Sequence, residues 1–365
     1  MWWRAYALLS HGGDRIGLGS LRWGSWRPLR GRAPCRKADD VLRALEEADT
    51  AIWTASALAA CAESGLLTRL GQPAAPEALA RDLSLPPALV RSLLDVLAGF
   101  GFVVWEQERA MAAPALLPFT SPEGAATFRA ALRAPLLQTD DFRRRLADGT
   151  LALDGWSHTD EAVIEAQGAL TRLWTTKALP KLKFLPGLVA RLESPGAALL
   201  DVGAGAAGLS IALCESFPHL RAAALEPAPH PAAIGERHVR EAGLTDRIVI
   251  RRERVEDLED TGAFDLAFLP QMFLPDAIIQ DATERIFRAL RPGGWLLVAA
   301  LAQEGPGTAP AVNRLKNLLW GGNTRGIDHM RPRLIDAGFA PVIRAPGGRS
   351  LRMICARRPN LRELP

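Results

Sequence analysis

The spacing of hydrophobic residues along the chain changes near residue 196. In the first part, apolar residues recur at helical spacing, for example at Val41, Leu45, Ala48, Ile52, Ala55 and Ala59. This spacing predicts a long helix with one apolar stripe. In the second part, helical stretches alternate with short apolar runs such as AALLDVG, RAAALEP, RIVIRR, FDLAFLP and GGWLLVAAL. The alternation predicts β–α–β units that form a parallel sheet with helices on both faces.

Residues 39–119 have the pattern of a compact helical domain with a small wing. APEALARDLSLPPALVRSLLDVLAGFGFVV predicts two short helices separated by a turn, and FVVWEQERAMAA predicts a hairpin. A DNA-reading helix needs cations that contact phosphates. Between Pro76 and Phe100, however, the only cations are Arg81 and Arg91, opposed by three acidic residues. We therefore expect a winged helix that serves packing or dimerisation, and no nucleic-acid partner.

The remaining segments complete the predicted organisation. Residues 120–195 predict linking helices, which we expect to form part of a substrate cavity because pockets occur preferentially at domain junctions. Residues 196–365 contain the predicted sheet. At its end, PVIRAPGGRSLRMICARR predicts two antiparallel strands joined by a turn at Gly347–Gly348.

Charge separates the N-terminus from the rest of the chain. The net charge is +4, but the first 37 residues hold eight Lys or Arg and one Asp, so the remainder is mildly acidic. Residues 1–38 are predicted to be a basic, disordered tail. An arm over a partner subunit, a contact with an anionic surface and an organelle transit peptide are the alternatives.

Cysteine spacing and hydropathy limit the compartment and the partners. Cys35, Cys61, Cys214 and Cys355 form no CxxC pair, which argues against a metal site or a disulfide framework and favours a reducing compartment. No apolar run approaches the ~18 residues that a membrane-spanning helix needs. We therefore expect a cytoplasmic protein without a metal or a membrane partner.

The most informative motif is LLDVGAGAAGLSIAL, in which a strand leads through Asp201 into Gly203, Gly205 and Gly208 and then into a helix. Glycines allow a tight turn and a close approach of a ligand to the backbone. The next predicted strand ends at Glu226, whose carboxylate can accept hydrogen bonds from both hydroxyls of a ribose. The glycine spacing alone also fits a dinucleotide-binding dehydrogenase. The acid before the loop and the terminal strand hairpin favour a protein that binds S-adenosylmethionine.

These motifs resemble those of the class I methyltransferases that depend on S-adenosylmethionine, in particular small-molecule O-methyltransferases of bacteria and plants with an N-terminal winged-helix dimerisation domain. The resemblance covers about residues 40–360, and its most specific parts are LLDVGAGAAG, ALRPGGWLLV and LIDAGFAPV. It implies an α/β fold with a Rossmann-like, seven-stranded sheet that ends in an antiparallel hairpin. It also implies a homodimer that forms through the apolar first helices.

The resemblance implies the residues that bind S-adenosylmethionine. Asp201, Gly203 and Gly205 would line its methionine and ribose parts, and Glu226 would hold the ribose. The full predicted cofactor set is Asp201, Gly203, Ala204, Gly205, Glu226, Pro227, Arg254, Val255 and Pro270. The chain departs from the family pattern at two positions. The family often has an aspartate that meets the adenine where Arg254 stands, and it usually has a third glycine where Ala207 stands.

Catalysis departs from the family as well. The family uses a histidine just after the fourth strand as a general base, but FDLAFLPQMFLPDA contains none. Gln271 is predicted to orient the acceptor because an amide cannot act as a base, and His329 is predicted as a displaced base. His158 is assigned to the start of a helix. The predicted substrate-binding residues are Trp174, Gln271, Phe273, Asn313 and Trp320.

The predicted function is transfer of a methyl group to a small molecule, in secondary metabolism. O-methylation follows from the family resemblance, while N- and C-methylation stay open because the family's histidine is absent. The alternatives are a protein of the same fold that binds S-adenosylmethionine but catalyses a cyclisation or decarboxylation, and a non-enzymatic winged-helix regulator.

Overall fold

The computed structural model describes residues 37–153, 155–345 and 351–360. The chain divides into two compact units, Met1–Leu132 and Arg133–Pro365, and the division falls inside one helix, Pro122–Ala147. Nearly all of the predicted tail and the predicted turn at Gly347–Gly348 lie outside the described residues. The predicted division into four segments stays a prediction.

From residue 37 onwards, where the structure describes it, the first unit contains four α-helices, a hairpin and the beginning of a fifth α-helix. Its elements are α1 (Ala38–Glu63), α2 (Leu66–Arg69), α3 (Pro76–Leu83), α4 (Pro87–Gly99), β1 (Val103–Glu106), β2 (Arg109–Ala112), a 3-10 helix (Leu117–Thr120) and α5 (Pro122–Ala147). Prolines at the first position of α3 and α4 suit helix starts, where an N–H group would lack a partner. β1 and β2 pair antiparallel. The helices and the hairpin have the order predicted for a winged helix.

The predicted apolar stripe of α1 exists but is mostly not covered within its own unit. Buried residues occur only towards the end of the helix, from Leu58 to Ala62. Before that, Ile52 is 65% exposed and Trp53 is 70% exposed, and Val41 and Leu45 are exposed as well. A single chain therefore presents a row of large apolar side chains to solvent.

The second unit contains the larger sheet. Its further elements are α6 (Glu161–Ala178), α7 (Leu188–Glu193), β3 (Ala198–Val202), α8 (Gly208–Ser216), β4 (Arg221–Leu225), α9 (Pro229–Glu241), β5 (Ile248–Arg251), β6 (Phe264–Pro270), α10 (Ile279–Ala289), β7 (Leu290–Leu301), α11 (Thr308–Leu319), α12 (Met330–Asp336), β8 (Val342–Arg344) and β9 (Leu351–Arg357). Short 3-10 helices occur at Leu179–Phe184, Val255–Asp257, Gln271–Phe273, Asp276–Ile278 and Ile327–His329.

The sheet has seven strands in the order β5-β4-β3-β6-β7-β9-β8. β3 to β7 run parallel, and β9 pairs antiparallel with both β7 and β8. This confirms the predicted α/β fold with a terminal antiparallel hairpin. β3 has β4 on one side and β6 on the other, so the order of successive strands reverses at β3, and ligands of such sheets bind at the carboxyl ends of the strands at this point.

Helix α6 packs against the segment that joins β3 to α8. A methyl group added at Gly208 would lie 2.3 Å from the carbonyl oxygen of Gly168, and one added at Gly168 would lie 2.5 Å from the Cβ atom of Ala206. Only glycine at these positions lets the two backbones approach so closely. Helix α6 therefore covers one side of the glycine-rich segment.

We expect Gly208→Ala to lower the free energy of unfolding of the second unit by about 1–3 kcal/mol, because the new methyl group would overlap backbone atoms that cannot rotate away. Urea unfolding followed by circular dichroism measures the change. The matched control is Gly99→Ala, because a methyl group at Gly99 meets no atom within 4 Å. Gly99→Ala should be neutral or slightly stabilising, and an equal loss in both variants would contradict the close packing.

Candidate functional site

The glycine-rich segment bends sharply after β3. Gly203 and Gly205 have φ angles of 63° and 53°, which is the left-handed region that favours glycine. A methyl group added at Gly205 would meet no atom within 4 Å, so this part of the backbone borders open space. Ala207 also has a positive φ, of 60°. The departure from the family's third glycine therefore falls at a position where an alanine is strained.

The Glu226 carboxylate joins two loops at the carboxyl edge of the sheet. Its Oε2 atom accepts a hydrogen bond of 2.9 Å from the N–H of Gly205, and its Oε1 atom accepts one of 3.0 Å from the N–H of Ala228. Burial raises the pKa of Glu226, while these two bonds lower it. A carboxylate has about four acceptor positions, so positions remain for ribose hydroxyls. Pro227 follows at an exposed position.

Asp201 supports the loop from inside. It is buried, and its Oδ2 atom accepts a hydrogen bond of 2.7 Å from the hydroxyl of Ser210 in α8. Burial raises the pKa of Asp201 to about 7, against the lowering effect of the bonds from Ser210, and the nearby charge of Glu226 raises it further. Ala204 donates a backbone hydrogen bond of 2.9 Å to Leu225, which also ties the loop to β4.

The predicted adenine contacts do not all face a ligand. The guanidinium of Arg254 is largely exposed and forms a 3.0 Å ion pair with Glu256. Arg254 and Glu256 therefore satisfy each other rather than replacing the family's aspartate. Val255 is buried in the hydrophobic core, which leaves its backbone as the group that can border an adenine.

The carboxyl end of β6 holds an unusual polar side chain. Pro270 lies beside the loop, since a methyl group added at Gly203 would come within 3.8 Å of its Cγ atom. The next residue, Gln271, is fully buried, and neither atom of its amide has a hydrogen-bond partner among the described residues. Buried polar atoms without partners cost about 1–3 kcal/mol each. The Gln271 amide therefore has a donor and an acceptor without partners, and its orienting role stays a prediction.

Three rings form what we call the aromatic cluster: Trp156, Phe273 and Trp320. The ring centroids of Trp156 and Phe273 are 5.3 Å apart, those of Phe273 and Trp320 5.1 Å, and those of Trp156 and Trp320 6.4 Å. The ammonium of Lys316 lies 4.9 Å from the Trp320 ring centroid, and burial lowers the pKa of Lys316. The structure thus brings together two predicted substrate residues, Phe273 and Trp320, and adds Trp156, which the sequence analysis missed.

Two other predicted substrate residues, Trp174 and Asn313, are not part of the aromatic cluster. Trp174 is 41% exposed on α6, and within the described residues it makes no ring contact with the aromatic cluster. The side-chain amide of Asn313 donates a 2.7 Å hydrogen bond to the carbonyl of Ala302 and so anchors α11 to the end of β7.

The predicted displaced base, His329, is part of a polar network. Its Nδ1 atom is hydrogen-bonded to the carbonyl oxygen of Gly326, and its Nε2 atom lies 3.3 Å from Nδ2 of Asn323 and 3.6 Å from a carboxylate oxygen of Asp276. Burial lowers the pKa of His329, and the charge of Arg333 lowers it further. Because both ring nitrogens are engaged, this histidine does not have a nitrogen free for an acceptor.

His158 lies two residues before Asp160, the residue that caps α6, which agrees with its assignment to the start of a helix. The carboxylate of Asp160 accepts a 2.9 Å hydrogen bond from the N–H of Ala162. His158 is buried, and its Nδ1 atom is hydrogen-bonded to the carboxylate of Asp141. The two residues lie 17 positions apart on different elements, so no local pattern points to the pair.

In the described parts of the chain, no three His, Cys, Asp or Glu side chains are grouped so as to hold a metal ion. No helix in those ranges is both long enough and apolar enough to cross a membrane. Cys61, Cys214 and Cys355 are buried free thiols.

Comparison with known proteins finds a related domain within the second unit. Residues 199–294 match the family described as Methyltransferase domain. An L-tyrosine C(3)-methyltransferase of Streptomyces lavendulae is 30% identical over 155 residues, which are 39% of this chain and 41% of that protein. A ubiquinone biosynthesis O-methyltransferase of Xanthomonas axonopodis pv. citri (strain 306) is 36% identical over 131 residues, which are 34% of this chain and 51% of that protein. The chain thus spans about half the length of these curated relatives.

Solved structures extend the likeness over most of the chain. Human N-acetylserotonin methyltransferase, in complex with S-adenosylmethionine, has a TM-score of 0.61 at 17% identity, and the match covers 89% of this chain and 100% of that chain. At this identity the likeness concerns the fold. Together with the sheet order and the family match, it confirms the predicted class I methyltransferase fold, a class whose cofactor is S-adenosylmethionine.

We expect Asp201→Asn to abolish one pH dependence of stability. The ordinary pKa is 3.8 and the folded value is about 7, so between about pH 4 and pH 7 the unfolded chain loses this proton first. The free energy of unfolding therefore falls as pH rises through this window, by at most about 1.4 kcal/mol per pH unit from this group.

The measurement is urea unfolding of the wild type and Asp201→Asn from pH 4.5 to pH 9. Their difference should decrease with pH and become constant above pH 8. Asp246→Asn, at an exposed position, is the matched control and should show no such trend. A difference between the wild type and Asp201→Asn that does not vary with pH would contradict the raised pKa.

Proposed function

We propose that this protein is a methyltransferase that uses S-adenosylmethionine and acts on a small molecule, most consistently one of secondary metabolism. The observation that carries the proposal is the open, left-handed backbone at Gly203 and Gly205, beside the Glu226 carboxylate. The confirmed fold and the family match over residues 199–294 support it.

The residues present fit the cofactor. The space beside Gly205 admits a ligand against the backbone, and the free acceptor positions of Glu226 suit the two ribose hydroxyls. S-adenosylmethionine, when bound, supplies a methyl carbon activated by a positively charged sulfur. Gln271, whose amide lacks partners among the described residues, would hydrogen-bond a molecule bound at the carboxyl end of β6.

Alignment of the acceptor is the main contribution that this fold has to make. An attacking atom must be held about 3 Å from the methyl carbon and in line with the sulfur. The aromatic cluster provides apolar walls, and Gln271 provides both a donor and an acceptor next to them. The two curated relatives are a C-methyltransferase and an O-methyltransferase. We propose O-methylation of a planar, hydroxylated acceptor as the reaction.

We expect Glu226→Gln to weaken binding of S-adenosylhomocysteine about 10- to 100-fold, because the variant loses charged hydrogen bonds to the ribose and leaves Gly205 or Ala228 with a weaker acceptor. Isothermal titration calorimetry measures the dissociation constant. Glu193→Gln, at the exposed end of α7, is the matched control and should bind as the wild type does. If the well-folded wild type binds neither S-adenosylhomocysteine nor S-adenosylmethionine, the proposed function is wrong.

We also propose that the chain forms a homodimer through α1. Several large apolar side chains of this helix are exposed, including Ile52 and Trp53. Single exposed apolar residues are common on protein surfaces, whereas contiguous apolar patches mark interaction sites. A second copy presents the same patch, as a twofold-symmetric interface requires. Burial of these side chains would contribute about 25 cal/mol per Å² of apolar surface.

The double substitution Ile52→Glu with Trp53→Glu should convert the dimer into a monomer, because two charges would have to be buried in the interface. Light scattering coupled to size-exclusion chromatography measures the mass at micromolar concentration. Val249→Glu places the same charge at an exposed apolar position of β5 and should leave the dimer intact. A wild-type chain that is monomeric at this concentration would contradict the proposal.

We further propose a cytoplasmic location. The three described cysteines are buried free thiols, and proteins with unpaired cysteines are typical of reducing compartments. S-adenosylmethionine, the methyl donor of the proposed reaction, is consistent with a cytoplasmic location.

A further inference from the structure

A histidine and a carboxylate form a buried pair near the aromatic cluster. His158 is 6% exposed and Asp141 is 5% exposed. The Nδ1 atom of His158 is hydrogen-bonded to Oδ2 of Asp141. No hydrogen-bond partner of the other ring nitrogen, Nε2, is found among the described residues. An imidazole held through one nitrogen, with the other nitrogen open, is the arrangement that general bases use.

Asp141 determines which nitrogen carries the proton. A carboxylate only accepts hydrogen bonds, so the proton of the neutral imidazole lies on Nδ1 and the lone pair lies on Nε2. Two arginines of α5 keep the carboxylate in place, with Arg144 at 3.3 Å and Arg145 at 3.6 Å. Arg144 also approaches Asp140 and Asp160, at 3.7 Å and 3.9 Å. These are the charged groups recorded around the pair.

The pair is connected to the carboxyl edge of the sheet through ring contacts. The ring centroids of His158 and Trp156 are 4.7 Å apart, and Trp156 contacts Phe273, which follows β6 by three residues. Pro270, at the end of β6, lies beside Gly203 of the glycine-rich segment. His158 therefore belongs to the same neighbourhood as the proposed cofactor and acceptor sites.

A second link comes from α6, which begins three residues after His158. This helix packs on the glycine-rich segment through Gly168 and Gly208. Its Gln167 accepts a 2.8 Å hydrogen bond from Gln138 of α5, the helix that also carries Asp141. Both elements that position the pair are thus fastened to each other, and α6 is fastened to the proposed cofactor site.

From this geometry we propose that His158 is the general base of the methyl transfer and that Asp141 is its positioning residue. This assignment rests on the proposed function. The acceptor hydroxyl oxygen forms a bond to the methyl carbon while the carbon–sulfur bond breaks and its electron pair stays on sulfur. The hydroxyl proton passes to Nε2 of His158, and the Asp141 carboxylate stabilises the resulting imidazolium. The proton then leaves to water. A base supplied from the segment before α6 replaces the histidine that the segment after β6 lacks.

The protonation state of His158 agrees with this role. Burial lowers the pKa of His158, the hydrogen bond and charge of Asp141 raise it, and Arg145 lowers it. The net shift is downward, so the ring is neutral and able to accept a proton at neutral pH. Removing the Asp141 charge should lower this pKa further, since the raising contribution disappears.

The first experiment observes the imidazole itself and needs no acceptor. The chain has six histidines, so NMR spectra of protein labelled with ¹³C and ¹⁵N in histidine show few ring signals, and the signal lost in His158→Gln identifies His158. We expect a neutral ring at pH 7.5 with its proton on Nδ1, and a lower pKa in Asp141→Asn. An imidazolium at pH 7.5, or a proton on Nε2 in the neutral ring, would overturn the proposal.

The second experiment separates proton removal from alignment. The probes are catechol, which must lose a proton, and thiophenol, which is largely a thiolate at pH 8 and needs no base. We expect His158→Gln to reduce S-adenosylhomocysteine formation from catechol by about 100-fold or more while leaving thiophenol turnover within about threefold. Raising the pH should partly restore catechol turnover, because phenols ionise near pH 10. Asp141→Asn should shift the pH profile of the catechol rate.

Controls distinguish this proposal from the proposed function. His219→Gln, at an exposed position before β4, should match the wild type, and calorimetry should show that His158→Gln still binds S-adenosylhomocysteine. Equal catechol rates in His158→Gln and the wild type would overturn the base assignment but not the methyltransferase. If the wild type binds the cofactor but methylates neither probe, the base assignment is decided by the NMR measurement of which ring nitrogen of His158 carries the proton. Absence of cofactor binding by the wild type would refute the proposed function, and the base assignment that rests on it would fall as well.

Discussion

The hydrogen bonds that Glu226 accepts from Gly205 and Ala228 join the loops after β3 and β4. Parallel strands end at a common edge, where their loops separate and leave backbone groups that need partners. The Glu226 carboxylate supplies two of those partners and still has acceptor positions left. On the other side, Gly168 and Gly208 allow α6 to lie against the same segment. The proposed cofactor site therefore has packing contacts on two sides and is open at Gly205.

Around this edge some polar groups have hydrogen-bond partners and others have none. Gln271 is buried without partners among the described residues, whereas both ring nitrogens of His329 and the Nδ2 atom of Asn313 have contacts within the fold. Buried polar atoms without partners are costly, so they are expected where a ligand completes the hydrogen bonding. By the same criterion, a polar atom left without a partner, His158 is a better candidate for a functional residue than His329. One ring nitrogen of His158 is held by Asp141 and the other is open.

Much of the fold was accessible from the sequence because its signals are local. The change of hydrophobic period near residue 196 predicted the parallel sheet, and the glycines after Asp201 predicted a loop whose φ angles are indeed positive. The site was less accessible. Arg254 belongs to the predicted cofactor set, but its guanidinium forms an ion pair with Glu256 two residues further on. Trp174 fits an aromatic wall by residue type alone, yet it lies exposed on α6.

The sequence by itself determined the class of fold, the position of the glycine-rich segment and the carboxylate that follows the next strand. Each of these depends on short-range order along one strand, turn or helix. Only the tertiary structure decided which side chains meet: Trp156 with Phe273 and Trp320, and His158 with Asp141. Those contacts join residues from separate elements, and they depend on how helices and loops pack over the ends of the strands, which no local spacing encodes.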